Sequence, residues 1–463
     1  MTRATVLYLF AVVFAGCGDD PKPTTPDAPI DDAVRVLPDE ITSDMTLSTE
    51  KPYLLPKNTH VFVKNNATLT IPPGTEIRGE KGSVLVISRG SKIKAEGTLE
   101  KPIVFTSAQP VGMRTAGYWG GLLVLGKAHV NVNANSNPPA PDALFEAFSN
   151  ADGDAGKFGG TDDADDSGTI KYVRIEFGGY NFVADREFNN LTLCGVGNKT
   201  VVDFVQVHGG ADDGIELFGG TVNVKHIVSS QNQDDGFDTD NGWQGKAQFV
   251  IVQNISHPPT LPEATNGYES DNHGTDTSYT ALPRTLPTVT NVTLIGDHGY
   301  TGAASFAAVF RRGTGGHYSN HIWFGFPKGP EIRDAETQQQ ITDGNLTVER
   351  SILFRNDATD SNMPVPQKDV PVDPKDPTGP QKHIDLDEAT LFKVANGIVI
   401  NVDPGLPDAA LSKTAPDFKP KAGAIALTGG VPPSDPFFDQ TATFIGAIGT
   451  VDWTTGWTSY PQN

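Results

Sequence analysis

A strand that keeps returning at a step of a little over twenty residues is the feature that most constrains this chain. Val201-Val-Asp-Phe-Val-Gln-Val-His, Val224-Lys-His-Ile-Val and Ala247-Gln-Phe-Val-Ile-Val-Gln-Asn begin 23 residues apart. Ile170-Lys-Tyr-Val-Arg-Ile-Glu-Phe precedes them. Val289-Thr-Asn-Val-Thr-Leu-Ile-Gly, Tyr318-Ser-Asn-His-Ile-Trp-Phe and Leu346-Thr-Val-Glu-Arg-Ser-Ile-Leu-Phe follow, at steps of 29 and 28. Two earlier runs, from Val61 and Ser83, overlay in the same way, with Val61 on Val84 and Leu69 on Lys92 or Ile93. Strands and turns at such a period read as a parallel β-solenoid. One coil cannot bury its apolar side alone, whereas stacked coils share a continuous core. A propeller blade would need about 40–45 residues, so the short step argues against that fold.

Composition agrees. The 463 residues hold 49 Gly and 35 Pro, which suits many short strands joined by turns. At about 4.8 Å per coil, residues 41–360 predict eleven to thirteen coils and a rod of roughly 50–60 Å. Asn131–Gly168 and Ser256–Pro287 interrupt the period as insertions on the flank, and 361–382 is a Pro-rich loop. Residues 383–463 break the pattern and end in Asp452-Trp-Thr-Thr-Gly-Trp, which reads as a C-terminal cap sealing the open end of the coil.

Several runs carry a family resemblance. Pro72-Pro-Gly-Thr, Pro102-Ile-Val-Phe-Thr-Ser, Gly117-Tyr-Trp-Gly-Gly-Leu, Tyr172-Val-Arg-Ile-Glu-Phe-Gly-Gly, Asp212-Asp-Gly-Ile-Glu-Leu-Phe-Gly-Gly-Thr-Val and Asp234-Asp-Gly-Phe-Asp-Thr-Asp-Asn-Gly-Trp are the main ones. Together they resemble a group of bacterial cell-surface lipoproteins with a right-handed parallel β-helix of pectin-lyase-like architecture. The resemblance spans about 41–457 and implies the all-β fold and its hand. It implies no chemistry, because the group is mostly of unassigned activity.

The N-terminus is read separately. Arg3, the apolar run Val6–Phe14 and Ala15-Gly-Cys17 resemble a bacterial lipoprotein signal, with Phe14 where that signal usually has Leu. The expectation is a signal peptide over 1–16 and acylation (palmitate) of Cys17. That lipid would be the route to the membrane, placing the protein in the outer membrane with its body exposed at the cell surface. Residues 17–40, Pro-rich and acidic, predict a disordered tether with a reach of about 25–30 Å. Cys194 is the other cysteine, so an acylated Cys17 leaves no internal disulfide.

Charge narrows the partners. Lys and Arg number 35 against 56 Asp and Glu, a formal charge of −21, which argues against nucleic acid. Within that excess one pattern stands out. Asp212-Asp213-Gly214 recurs as Asp234-Asp235-Gly236, a step of 22, so the doublets should stack at one corner, with Asp238 and Asp240 following. Like charges at about 5 Å cost roughly 3 kcal/mol at an effective dielectric near 20, so solvent, a proton or a cation must offset them. Three readings stay open: Asp-Gly turn chemistry, a Ca²⁺ site of hard oxygen ligands, and catalytic carboxylates. The catalytic reading draws on the polygalacturonase-like β-helices, but the Gly-His-Gly and Arg-Ile-Lys elements of that family are missing here. The catalytic residues are therefore unknown.

Asp212, Asp213, Asp234, Asp235, Asp238 and Asp240 are the candidate metal ligands. Trp243, Asp271, Asn272, Arg311 and Arg312 are the candidate ligand-binding residues, Trp243 as a surface on which a sugar could stack. A second acidic stretch, Asn150–Asp166, fails the EF-hand register and reads as a surface loop. The functional expectation is a non-enzymatic surface protein that binds polysaccharide or another surface ligand along one flank, stabilised by calcium. The alternative is a polysaccharide hydrolase or lyase using the stacked aspartates.

Overall fold

The computed structural model describes residues 34–136, 140–183, 186–255, 265–300, 305–356, 388 and 391–463. They form a right-handed parallel β-helix. Each central coil has a long strand, a turn, a short strand and a second turn. Val201–His208 leads to Ile215–Phe218 and then to Asn223–Ser230, which lies directly on the first. The long strands stack into a first sheet and the short strands into a second. Twelve successive rungs in the first sheet give a rod of about 53 Å at ~4.8 Å per step.

The registers correct the alignment read from sequence by one residue. Val202, not Val201, lies on Val224, a step of 22, whereas Val224 on Ala247 is a step of 23. Val61 likewise lies on Leu85, whereas Leu69 lies on Ile93, one of the two partners expected for it. A one-residue slip in a strand exchanges its two faces, so the correct register is the one that aligns the buried residues. One interior column runs Ile170, Val202, Val224, Ala247, Val289, Tyr318 and Val348, all buried.

Each long strand bends midway at a residue with positive φ. These residues stack from coil to coil: Tyr172 (48°), Phe204 (54°), His226 (50°), Phe249 (60°), Asn291 (55°) and Asn320 (57°). The left-handed region costs an L-residue about 1–2 kcal/mol. Ring stacking offsets it, with centroids 4.4 Å apart for Tyr172 and Phe204 and 4.1 Å for Phe204 and His226. The two asparagines tolerate that conformation and donate to the carbonyls of Phe444 and Val431.

Those last two partners belong to the C-terminal region, which differs from the expected cap. Only its first part closes the coil: Leu391, Phe392 and Ile398 enter the core, and Val399–Ile400 pairs with Ile352–Phe354. Residues 403–463 instead lie across the outer face of the first sheet. Gln206 and His208 bond Ser459 and Pro461, and Gln253 donates to Ala410 and Ser412. The cause is apolar. The outward residues Val228, Ile251, Ile295, Ile322 and Ile352 need a cover, and Leu406, Phe418, Ile445, Ile448 and Trp457 supply it.

The tether also ends earlier than expected. Arg35–Val36 pairs with Tyr53–Leu55 and Glu40–Ile41 with His60–Val63, because Leu37 and Ile41 are drawn into the core. Residues 1–33, with Cys17, and the Pro-rich stretch 361–382 lie outside the described residues. No described helix is long and apolar enough to cross a membrane.

Candidate functional site

The second sheet positions the acidic residues. Ile215–Phe218, Phe237–Asp240, Tyr268–Ser270 and Ala308–Phe310 stack in parallel register. Alternation sends Ile215, Leu217, Phe237 and Tyr268 into the core, so Glu216, Asp238 and Glu269 stack on the outer face. Residues at the preceding corner stack as well. Asp213 N–H donates to Asn189 Oδ1 (3.1 Å), Asp235 N–H to Asp213 Oδ1 (2.9 Å) and Asn266 N–H to Asp235 Oδ1 (2.9 Å). One oxygen of Asp213 and one of Asp235 therefore hold the turn of the next coil. Gly214 and Gly236 are required by space, not by positive φ: an added Cβ would stand 2.2 Å from Ser229 Oγ and 2.1 Å from Val252 Cγ1.

Carboxylate oxygens of the column converge in three overlapping triads: Asp212, Asp213 and Asp234; Asp213, Glu216 and Asp238; Asp235, Asp238 and Glu269. Each offers three carboxylate oxygens within 4.8 Å of one another. Asp238 belongs to two of them. Its side chain is 9% exposed, and its Oδ1 is buried with no hydrogen-bond partner among the described residues.

Burial, followed by the repulsion of its neighbours, pushes Asp213 and Asp238 well above the usual carboxylate range, and Glu216 likewise. Burial also raises Asp235, to about 6, against the opposing Asn266 N–H bond and the Arg311 charge.

The column changes sign one coil further on. Asp271 carboxylate accepts from Arg311 Nε (2.8 Å) and Arg312 Nη1 (2.6 Å), and Arg311 also pairs with Glu269. Burial raises Asp271 to about 7 although Arg312 opposes it, and burial with the charges of Arg312 and Arg333 lowers Arg311 to about 9. Arg311 and Arg312 are thus engaged with the top of the acidic column and close it.

Two candidate ligand-binding residues are corrected by their surroundings. Trp243 is fully buried against Phe237 and donates its indole N–H to Val222 O (3.1 Å), so it presents no surface on which a sugar could stack. Asn272 is also fully buried. Its amide donates to Tyr279 O and Ala281 O, and its oxygen accepts from Thr285 N–H, which makes it a loop brace. Asp240 stands outside the three triads, two residues along the strand from Asp238, and accepts from Asn241 N–H.

Glu216 and Glu269 were missed by sequence reading. The signal was present as a Gly, a buried residue and then an acid in Gly214-Ile-Glu, Gly236-Phe-Asp and Gly267-Tyr-Glu. The insertion stretches the second step to 31, against 22 for the first, and hides the third member.

A family model described as a pectate-lyase-like beta helix domain matches residues 39–388. No curated protein matches the chain. Among solved structures it is similar to the Dettilon tailspike protein, at 12% identity and a TM-score of 0.16. That match covers 62% of this chain and 61% of the tailspike chain's length.

Proposed function

This chain belongs to the pectate-lyase-like β-helix family, and from that premise we propose that it is a polysaccharide-binding protein of the cell envelope whose carboxylate column holds a divalent cation. The observation that carries the reading is Asp238, a member of two carboxylate triads whose buried Oδ1 has no hydrogen-bond partner among the described residues. A buried carboxylate oxygen is costly unless it is bonded or neutralised. The donors are all hard oxygens, the set that suits Ca²⁺, which takes six to eight of them. Asp213, Glu216, Asp235, Asp238 and Glu269 would hold the ion, leaving positions for sugar hydroxyls or carboxylates.

Calorimetric titration of Ca²⁺ into the full chain tests this. Uptake in the wild type and its loss in Asp238→Asn are expected; equal uptake by both, or none by the wild type, refutes the site.

A second reading, cleavage of the polysaccharide, is favoured by one observation. Asp235 and Asp238 lie in one carboxylate triad, and burial raises Asp235 to about 6, in the range of a general acid. Incubation with acidic and neutral glycans decides between them. Reducing ends or unsaturated products, abolished in Asp235→Asn, would make the protein a hydrolase or lyase.

The envelope location rests on the sequence around Cys17. Labelled palmitate should enter the wild type and not Cys17→Ala, and the variant should leave the membrane fraction; equal labelling of both would remove the anchor.

A further inference from the structure

The outer face of the first sheet holds a polypeptide by its main chain. Five amide side chains stand there fully buried: Gln206, Gln248, Gln253, Asn291 and Asn320. Each is bonded to the main chain of residues 403–463. Gln206 and Asn320 both donate and accept, with Ser459 and Val431, at 2.7–3.1 Å. Gln248 Oε1 accepts from Asp439 N–H (2.8 Å), Asn291 donates to Phe444 O (2.8 Å) and Gln253 to Ala410 O (2.8 Å). Main-chain bonds of this kind give affinity, and the apolar column on the same face receives the segment's buried side chains.

The segment that fills this face has no regular structure of its own to fold on. Residues 403–463 contain no strand and no helix longer than four residues, and Leu406, Phe418, Ile445 and Trp457 pack on the coil. The coil does not need them to close its end, because Leu391, Phe392 and Ile398 enter the core and Val399–Ile400 completes the last rung. One short link, 401–405, joins the two parts. It is a tight reversal: Asn401 has φ 61°, Gly405 has φ 83°, and Asp403 Oδ1 accepts from Gly405 N–H (2.7 Å). The link turns the chain back from the last rung of the first sheet onto its flank. A short hinge bent through a left-handed residue invites exchange between copies, because exchange releases the bend. Opened out, its five residues span about 17 Å.

We propose that this face is a receptor for residues 403–463 of a second copy of the chain, so that two copies exchange these segments reciprocally and form a dimer. The amide bonds and apolar contacts run between coil and segment and do not involve the link, so they re-form when the segment comes from a partner. Within one copy the link holds the segment at a millimolar effective concentration. The exchanged dimer therefore gains as protein concentration rises, or as the link is made to resist its reversal. One ion pair reports the difference. Lys246 Nζ on the coil lies 2.5 Å from Asp435 Oδ2 on the segment, and both side chains are about one-third exposed. The pair joins residues of one chain in the monomer and of two chains in the dimer.

The test is size-exclusion chromatography with light scattering on the full chain, wild type and Asn401→Val, after incubation just below the melting temperature at micromolar and millimolar concentration. The wild type should be monomeric when dilute and partly dimeric at millimolar concentration. Position 401 is exposed, and a β-branched side chain disfavours positive φ. Asn401→Val should therefore raise the dimer-to-monomer ratio about tenfold or more without disturbing the core. A carbodiimide then joins Lys246 to Asp435 as an amide. The exchanged dimer should give a covalent pair of chains in SDS, carrying the Lys246–Asp435 peptide and lost in Asp435→Asn. Lys92 and Asp166, 2.5 Å apart within the coil, give a control link that stays inside one chain in either state. Three results overturn the proposal. They are monomer alone in both proteins at both concentrations, a dimer with the control link but no covalent pair, and a covalent pair that survives Asp435→Asn.

Discussion

The outer face of the second sheet is built in two ways along its length. Near the N-terminus its outward residues are apolar. Val84, Val86, Leu123, Leu125 and Cys194 are buried under Phe145, Phe148 and Phe158 of the first insertion and under Phe188. From the coil after Cys194 onward the same face carries Glu216, Asp238 and Glu269. The inward residues hardly change between the regions, and both form regular parallel rungs. The inward column therefore specifies the coil, and the outward column specifies what must lie on it: chain where it is apolar, a counter-charge where it is acidic. Phe218 marks the seam, since it packs under the insertion while Glu216, two residues earlier in the same strand, joins the acidic column.

The largest effect should come from breaking the apolar half. Phe145 is buried, with ring centroids 5.4 Å from Phe148 and 5.7 Å from Phe188. Phe145→Ala should cost about 3–5 kcal/mol, the usual range for removing a buried aromatic ring, as measured by chemical denaturation. A loss below ~1 kcal/mol would mean that the insertion does not seal this face. Calcium should not rescue the variant, because its defect lies in the half that needs no ion.

The acidic half should respond to pH instead. Asp213, Asp238 and Glu216 have raised folded pKa values, so the folded state binds protons more tightly than the unfolded chain. Such a carboxyl imposes no penalty below its unfolded pKa and a growing one as pH rises towards the folded value. Stability without metal should therefore increase as pH falls from 8 to 6.5, with Asp271, raised to about 7, among the groups that take up a proton over that span. The window stops there for a reason. His208 and His321 are lowered by burial to about 4 and 3, so below the ordinary histidine value the folded state forgoes protons that the unfolded chain takes, and stability is lost again. Millimolar Ca²⁺ should flatten the slope between 8 and 6.5. A slope that is flat without metal would show the column to be solvated and uncharged by its surroundings.

How much of this was legible follows from what repeats. The coil was readable because Val202, Val224 and Ala247 recur with their flanking turns, and the Asp doublets recur at the same step. The bend inside the long strand was not, because its residues change from the rings of Tyr172, Phe204 and His226 to Asn291, and only a backbone angle is common to all four. The destination of residues 403–463 was hidden for a different reason. A cap and a side cover both need aromatic and aliphatic residues, and only the outward Ile251, Ile295 and Ile322 of distant coils decide between them. Trp243 misled because a tryptophan beside an acidic run resembles a sugar platform, and its burial depends on a Val222 carbonyl from the preceding turn.

The smallest effect separates two carboxylates within the acidic half. Asp213 Oδ1 accepts the Asp235 N–H, whereas Asp238 Oδ1 accepts nothing among the described residues. Asp213→Ala removes both a charge and a bond that holds a buried turn, and the bond alone is worth about 1 kcal/mol. Asp213→Asn keeps the acceptor and removes only the charge. In the absence of metal the alanine variant should therefore be about 1 kcal/mol less stable than the asparagine variant. At position 238 the two substitutions should differ less, and both should exceed the wild type at pH 8, because each relieves repulsion without breaking a bond. Thermal melts of the four variants at pH 8 in EDTA give the comparison. An equal gap at both positions would mean that the ladder of turn bonds contributes nothing, and the doublets would then be repeated charge without a structural duty. A gap at 213 alone assigns the two roles to different atoms of one column: Asp213 holds the coil together, and Asp238 is held ready for a cation.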